Sequence, residues 1–154
     1  MQRLDKEVFK TVVASTPLVS IDLIIRNSRN QVLLGLRTNR PAQGFWFVPG
    51  GRIGKDETFE QAFFRLTKNE LGFSVPLAIA SFLGPYQHIY SDNFSGTDFS
   101  THYVVLGYQL DLDIDLKRLP VEQHQHYQWW DEQQLLNSEQ VHRNTKAYFS
   151  DDYK

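Results

Sequence analysis

A glycine turn that leads into an amphipathic helix constrains this chain more than any other feature. The turn begins at the glycine pair of residues 50–51, and a helix is expected after Asp56. At about 100° per residue, the apolar side chains of this helix form one stripe, and Glu70 falls in its middle. The stripe consists of Phe59, Ala62, Phe63 and Leu66. Because a carboxylate buried without a positive partner is costly, we expect an arginine or a hard divalent metal such as Mg²⁺ beside Glu70.

The ends of the predicted helix carry their own signals. Asp56 is a suitable N-cap, Glu57 is favourable in the first turn, and Gly72 supplies the left-handed residue that ends a helix. The glycine pair at residues 50–51 lets backbone groups approach a ligand closely. These features alone leave open an ordinary surface helix in which Glu70 pairs with a lysine.

The spacing of these residues resembles the signature of the Nudix hydrolases, which cleave nucleoside diphosphates linked to another group. The matching residues are Gly51, Glu57, Arg65, Glu70, Gly72 and Phe73. The family pattern has glutamates where this chain has Leu66 and Asn69, so a cluster of three acids is reduced to one carboxylate. One carboxylate helps to hold one metal ion, and this disfavours attack at phosphorus with a glutamate base.

Several remote runs resemble one branch of that family, the bacterial GDP-mannose mannosyl hydrolases, which attack the sugar carbon instead of phosphorus. The runs occupy residues 16–20, 37–44, 46–52, 92–99 and 122–124. The resemblance implies an α/β protein with the Nudix fold, in which a central mixed β-sheet is sandwiched between α-helices. It also implies one Mg²⁺ per active site, a GDP-sugar substrate and a homodimer.

Composition limits the classes of protein that this chain can belong to. Its 154 residues, of which 41% are hydrophobic, suit one Nudix domain over residues 1–154. A net charge of −2 gives no bulk attraction to nucleic acid, and the absence of cysteine excludes thiol chemistry. The sequence shows neither a secretory signal nor a stretch that could span a bilayer, so we expect a cytoplasmic protein without a membrane partner.

The hydrophobic pattern predicts alternating helices and strands. Further helices are expected at residues 5–14, 132–136 and 139–149, and strands at residues 18–25, 31–36, 45–48, 78–83, 101–110 and 127–130. Residues 84–100 are expected to form a long loop that offers Tyr86, His88, Tyr90 and Phe94 to a base or a sugar. Residues 112–125 read as a charged connection, and the tryptophans at 46, 129 and 130 as core packing.

The resemblance assigns the metal and the base to individual residues. It implies that the Gly50 carbonyl, Glu70 and the Gln123 amide oxygen are the metal ligands. It also places His124 in a loop over the site, as the general base. An imidazole with an ordinary pKa of roughly 6.5 takes a proton from water near neutral pH.

Other polar residues are expected to contact the substrate. Guanidinium groups match phosphate oxygens in a bidentate fork, and the resemblance implies that Arg37 and Arg52 contact the diphosphate. Arg65 is expected to bridge to Glu57. The resemblance adds residues at positions that the branch uses around the sugar and diphosphate. These residues are Asp22, His88 and Tyr103, with Tyr90 as a further candidate.

The implied reaction is a displacement at the anomeric carbon. GDP is a good leaving group, so no general acid is required, and direct attack by water gives GDP and β-mannose from the α-linked donor. The sugar is left open between mannose and glucose. Two rivals also stay open, namely a conventional Nudix pyrophosphohydrolase that releases GMP and a sugar phosphate, and a non-catalytic module that binds a nucleotide sugar.

Overall fold

The computed structural model describes residues 1–120 and 124–154, the side chains of residues 124 and 125 excepted. Within these ranges the helices are α1 (Lys6–Ser15), α2 (Phe59–Leu71), α3 (Glu132–Asn137) and α4 (Arg143–Lys146). The strands are β1 (Leu18–Arg26), β2 (Val32–Arg37), β3 (Trp46–Phe47), β4 (Gly50–Arg52), β5 (Ser81–Tyr90), β6 (Thr101–Asp111) and β7 (His124–Trp130). None of these helices is long and apolar enough to cross a membrane.

The seven described strands form one mixed sheet. Its main path is β3-β2-β1-β6-β5, while β4 pairs with β1 and β7 pairs with β2. Strands β1 and β6 run parallel, and the other pairings are antiparallel. Strand β1 therefore has neighbours on both edges, and β5 lies at an edge of the described sheet.

Helices cover both faces of this sheet, as the sequence predicts. Successive side chains of a strand point to opposite faces, so β1 contributes to two apolar clusters. Leu23 packs with Phe63 of α2 in the first cluster, and Ile24 packs with Leu135 of α3 in the second. The tryptophans also pack here, Trp129 against the first cluster and Trp46 and Trp130 in the second. Both the predicted sandwich and the packing role of the tryptophans are confirmed.

Helix α2 begins two residues later than the sequence predicts. Thr58, and not Asp56, is the N-cap: its hydroxyl accepts a hydrogen bond from the Gln61 N–H at 3.1 Å, and the Gln61 side chain accepts one from the Thr58 N–H at 2.9 Å. Asp56 has a left-handed backbone with φ 68°, and Glu57 precedes the helix. At the other end Gly72 has φ 86°, which confirms the predicted left-handed stop.

Strand β5 is longer than predicted: residues 84–90 of the expected loop belong to this strand, whereas residues 91–100 lie outside the helices and strands as predicted. Gly84-Pro85 resembles a turn, but both residues pair within the ladder, Gly84 with Gly107 and Pro85 with Leu106, after a bulge between Phe82 and Gly84. A proline is tolerated there because β5 is an edge strand. As a result Tyr86, His88 and Tyr90 lie on a strand. Strand β4 was not predicted, and α4 is shorter than the expected helix at 139–149.

Candidate active site

A small cleft brings together five of the residues that the sequence predicts around the substrate. Its volume is about 80 Å³, and its lining consists of Ser20, Asp22, Phe47, Gly51, Arg52, His88, Tyr90 and Tyr103. Strands β1, β3, β4, β5 and β6 each contribute to this lining, and Tyr103 and His88 are directly opposite each other in the β5–β6 ladder. A second pocket of about 470 Å³ shares Gly51, Arg52 and Tyr103 with the cleft. We refer to the first of these as the cleft.

The pairing of β1 with β4 sets the position of Asp22. Asp22 lies opposite Gly50, where any side chain would collide with Asp22 Oδ1 and with the Ile21 carbonyl oxygen, so this position requires glycine. The other oxygen of the carboxylate, Oδ2, accepts a hydrogen bond from the Tyr148 hydroxyl at 2.7 Å. Burial raises the pKa of Asp22 to about 7, while the Tyr148 hydrogen bond and the charge of Arg37 act in the opposite direction.

Glu70 is fully buried on the apolar face of α2, as its place in the stripe predicts. Burial raises the pKa of this carboxyl to about 8. The positive charge of Arg37 lowers it and the negative charge of Asp22 raises it further. Of the positive partners that the sequence analysis considers for Glu70, Arg37 is therefore close enough to lower the pKa of this carboxyl.

The residues present fit a hard divalent cation. The Glu70 carboxylate and the backbone carbonyl of Gly50 supply the oxygen atoms that Mg²⁺ prefers, and a cation beside a buried carboxylate favours its ionised form. The third predicted ligand, Gln123, lies outside the described residues. Among the described side chains, no group of three or more His, Cys, Asp and Glu residues is arranged to hold a metal ion.

Two predicted diphosphate ligands lie around the cleft. Arg37 ends β2, and its guanidinium lies 5.7 Å from the centre of the Phe47 ring. Its Nε is buried without a hydrogen-bond partner among the described atoms. The Arg52 guanidinium stands 4.3 Å from the centre of the Phe9 ring, and burial lowers its pKa. Their role as ligands of a diphosphate stays a prediction.

Arg65 has the structural role that the sequence predicts. Its Nε donates to Glu57 Oε2 at 2.7 Å, and its Nη2 donates to Glu57 Oε1 at 2.8 Å. The same Nη2 donates to the Arg52 carbonyl oxygen at 2.8 Å, so Arg65 ties α2 to β4. This pairing lowers the pKa of Glu57 to about 2.

The aromatic and imidazole groups of the cleft are neutral near pH 7. His88 is 4% exposed, burial lowers its pKa to about 4, and its Nε2 has no hydrogen-bond partner in the described part of the chain. Burial raises the pKa of both Tyr90 and Tyr103, so their hydroxyl groups stay protonated. The cleft therefore offers an imidazole and hydroxyls that can hydrogen-bond to a sugar or a phosphate.

The sequence predicts that His124 lies in a loop. In the structure its backbone is instead at the first position of β7. There it pairs with Arg37 of β2. Its side chain lies outside the described part of the structure, so the assignment of His124 as a base stays a prediction.

Tyr148 is a functional neighbour that the sequence does not reveal. It lies 126 positions from Asp22 in the chain, within a segment predicted only as a helix. No local pattern marks a contact of that separation.

The sequence profile of the NUDIX domain matches residues 16–153. This chain belongs to the Nudix family. It is 43% identical over 114 residues to the low-salt glycan biosynthesis protein Agl8 of Haloferax volcanii, covering 73% of this chain and 70% of Agl8. It is also 40% identical over 70 residues to an ADP-ribose pyrophosphatase of Methanocaldococcus jannaschii, which is 46% of this Nudix chain and 40% of that enzyme.

The MutT protein of Methanosarcina mazei Go1 has a similar structure. Its TM-score is 0.69 at 18% identity, and the match covers 90% of this Nudix chain and 94% of the other. This similarity confirms the Nudix fold. Membership of the family supports hydrolase activity, and Nudix hydrolases generally use divalent metal ions.

Proposed function

We propose that this Nudix protein hydrolyses a GDP-sugar, GDP-mannose or GDP-glucose, to GDP and the free sugar. Water attacks the anomeric carbon with inversion, and one Mg²⁺ is required. The observation that carries this proposal is the cleft, where Asp22, His88 and Arg52 converge although they are distant in sequence. The identity with Agl8, a glycan biosynthesis protein, supports a sugar-linked substrate.

Unpartnered donors support a bound, oxygen-rich substrate. The buried Nε of Arg37 and Nε2 of His88 have no hydrogen-bond partner among the described atoms, and leaving such groups unpaired costs about 1–3 kcal/mol each. In our proposal Arg37 and Arg52 bind the diphosphate, together with the Tyr103 hydroxyl. Asp22 and His88 bind the hydroxyl groups of the sugar, and Tyr90 closes the same wall of the cleft.

The cleavage of a carbon–oxygen bond agrees with the single acid on the apolar face of α2. The positions that carry glutamates in the family pattern are Leu66 and Asn69, so they supply no carboxylate to act on phosphorus. Mg²⁺, held by Glu70, the Gly50 carbonyl and Gln123, would offset the charge that develops on the leaving GDP. Arg37 and Arg52 add to this stabilisation, and His124 takes the proton from the attacking water.

Product analysis tests the site of cleavage. The protein is incubated with GDP-mannose and Mg²⁺ in isotopically labelled water, and the products are separated by chromatography. We expect GDP and label in the sugar. Label in a phosphate group, together with GMP, would rule out attack at carbon.

The proposed base has a separate test. His124→Gln should reduce kcat by about 10²- to 10⁴-fold and change the dissociation constant of GDP little, because a base acts only in the transition state. His126→Gln, two residues further along β7, is the matched control and should retain activity. Comparable losses in kcat and in binding for His124→Gln would assign that residue a positioning role.

One specific observation favours a second candidate, a conventional pyrophosphohydrolase. The identity with an ADP-ribose pyrophosphatase makes release of GMP the alternative outcome of the same chromatogram. A non-catalytic binding module would leave GDP-mannose intact. The homodimer that the branch implies and the cytoplasmic location that the sequence predicts remain proposals, and sedimentation of the purified protein measures the oligomeric state.

A further inference from the structure

We infer that Tyr148 is a positioning residue, which holds the Asp22 carboxylate and supports His88 so that both face the sugar of the substrate. This inference rests on the proposed function, since it assumes that Asp22 and His88 contact the sugar. It adds the segment that follows α4 to an active site otherwise built from strands and α2.

The hydrogen bond to Asp22 is the first step of the argument. The Tyr148 hydroxyl donates to Oδ2 at 2.7 Å, the usual length for a hydroxyl donor. A carboxylate rotates about one bond, so fixing Oδ2 also fixes Oδ1. Oδ1 lies on the side of Gly50, whose neighbour Gly51 lines the cleft together with Asp22. Tyr148 therefore fixes the orientation of the Asp22 carboxylate.

A glycine in the sheet makes room for the tyrosine ring. Gly107 of β6 is the residue directly beside Asp22 in the parallel β1–β6 pairing. A Cβ atom at Gly107 would lie 2.9 Å from Tyr148 Cε1, which is closer than real Cβ contacts. The ring thus occupies space that exists because residue 107 has no side chain, and its hydroxyl reaches one strand further to Asp22.

The same ring lies behind His88. The ring centroids of Tyr148 and His88 are 6.1 Å apart, with an angle of 69° between the planes, which is an edge-to-face contact. The unpartnered Nε2 of His88 needs a fixed ring orientation if it is to meet one substrate atom. The backbone of Tyr148 is itself held, since its N–H donates to the Thr145 carbonyl oxygen at 3.2 Å.

Tyr148→Phe removes one oxygen atom and keeps the ring, so it tests the inference without opening a cavity. We expect kcat for GDP-mannose to fall roughly 10- to 100-fold, the loss typical of a hydrogen bond to a charged group. The dissociation constant of GDP, measured by calorimetry, should stay within twofold because GDP lacks the sugar. Tyr153→Phe, a tyrosine further along the same terminal segment, is the control and should retain full activity.

A double-mutant cycle separates positioning from a general structural role. If Tyr148 acts through Asp22, Tyr148→Phe should cause no further loss in an Asp22→Asn background. Losses that multiply would overturn the inference, as would a weaker affinity for GDP that parallels the loss of kcat. Gly107→Ala offers a second route, because it displaces the ring and should reproduce the kcat loss of Tyr148→Phe.

The wild-type products tell the two possible failures apart. If wild-type protein releases GMP or nothing from GDP-mannose, the proposed function fails. If it releases GDP and the losses of Tyr148→Phe and Asp22→Asn multiply, only the inferred role of Tyr148 fails.

Discussion

Glu70 is the buried carboxylate among the described residues of α2. It lies on the apolar face of the helix, and it is fully buried in the structure. Burial raises its pKa to about 8, so the environment favours the protonated form unless a cation is bound nearby. These properties agree with the proposed role of Glu70 as a metal ligand.

Substitution of Glu70 should therefore change the metal requirement. We expect Glu70→Gln to raise the Mg²⁺ concentration for half-maximal activity by at least about 10-fold, because a neutral amide is a weaker ligand for a hard cation. The measurement is a Mg²⁺ titration of GDP release. Glu60→Gln, an exposed carboxylate on the first turn of α2, serves as control and should leave the titration unchanged. Equal Mg²⁺ requirements in wild type and Glu70→Gln would contradict the assignment.

The Glu57–Arg65 ion pair predicts a pH dependence of stability. The pKa of Glu57 is lowered to about 2 from 4.5, so the ion pair stabilises the folded state fully above about pH 4.5. This contribution is lost as the pH falls from there towards about 2. The two side chains are only 13% and 21% exposed, and we expect Glu57→Gln to lower the free energy of unfolding at pH 7 by on the order of 2 kcal/mol.

Urea unfolding at a series of pH values between 3 and 7 measures this effect. The difference between wild type and Glu57→Gln should shrink as the pH falls below about 4.5. Asp56→Asn provides the control, because the carboxylate of Asp56 is 87% exposed and its pair with Lys55 should contribute little. A difference that stays constant down to pH 3 would show that Glu57 does not act through its charge.

At the scale of elements, the sequence predicts the helices and strands that hydrophobic periodicity or a terminal glycine indicates. Helix α2 is predictable from its apolar stripe and from Gly72, and β1 and β6 from their apolar and β-branched residues. The part of β5 beyond residue 83 is missed because Gly84-Pro85 resembles a turn, although the alternation of Tyr86, His88 and Tyr90 is a strand signal. A bulge and an edge position are properties of the whole sheet, so residues 84–85 alone do not reveal them.

The capping box of α2 gives a prediction for this element. Thr58→Ala removes the hydroxyl that accepts from the Gln61 N–H, and should lower the free energy of unfolding by about 1 kcal/mol. Thr58→Ser should keep most of that contribution. Thr11→Ala, at an exposed site inside α1, is the comparison and should change stability by less than about 0.5 kcal/mol. Similar effects at both threonines would show that the Thr58 cap does not stabilise α2.

At the scale of the whole molecule, the cleft is a product of topology. Asp22, Arg52, His88 and Tyr103 come from four strands that meet because β1 pairs with both β4 and β6, and β6 with β5. The candidates themselves follow from the family resemblance, but their convergence follows only from strand order. Tyr148 could not be predicted because its contact with Asp22 joins the two ends of the chain.

Ligands that bind only this assembled state should stabilise it. GDP and Mg²⁺ together, at about 100 times the dissociation constant, should add about 2.7 kcal/mol to the free energy of unfolding and raise Tm. Thermal unfolding with GDP alone, Mg²⁺ alone and both together measures the effect, and the pair should exceed the sum of the single additions. Purely additive shifts would show that metal and nucleotide bind independently.

The edge position of β5 has a consequence for the evolution of this protein. Strand β1 is enclosed by neighbours, so a substitution there disturbs packing and chemistry together. Strand β5 contributes His88 and Tyr90 to the cleft, while its alternate residues, such as Ile89 at 60% exposure, face away into solvent. Under the proposed function, exchange of residues along this strand is a route to new sugar preferences that leaves β1 unchanged.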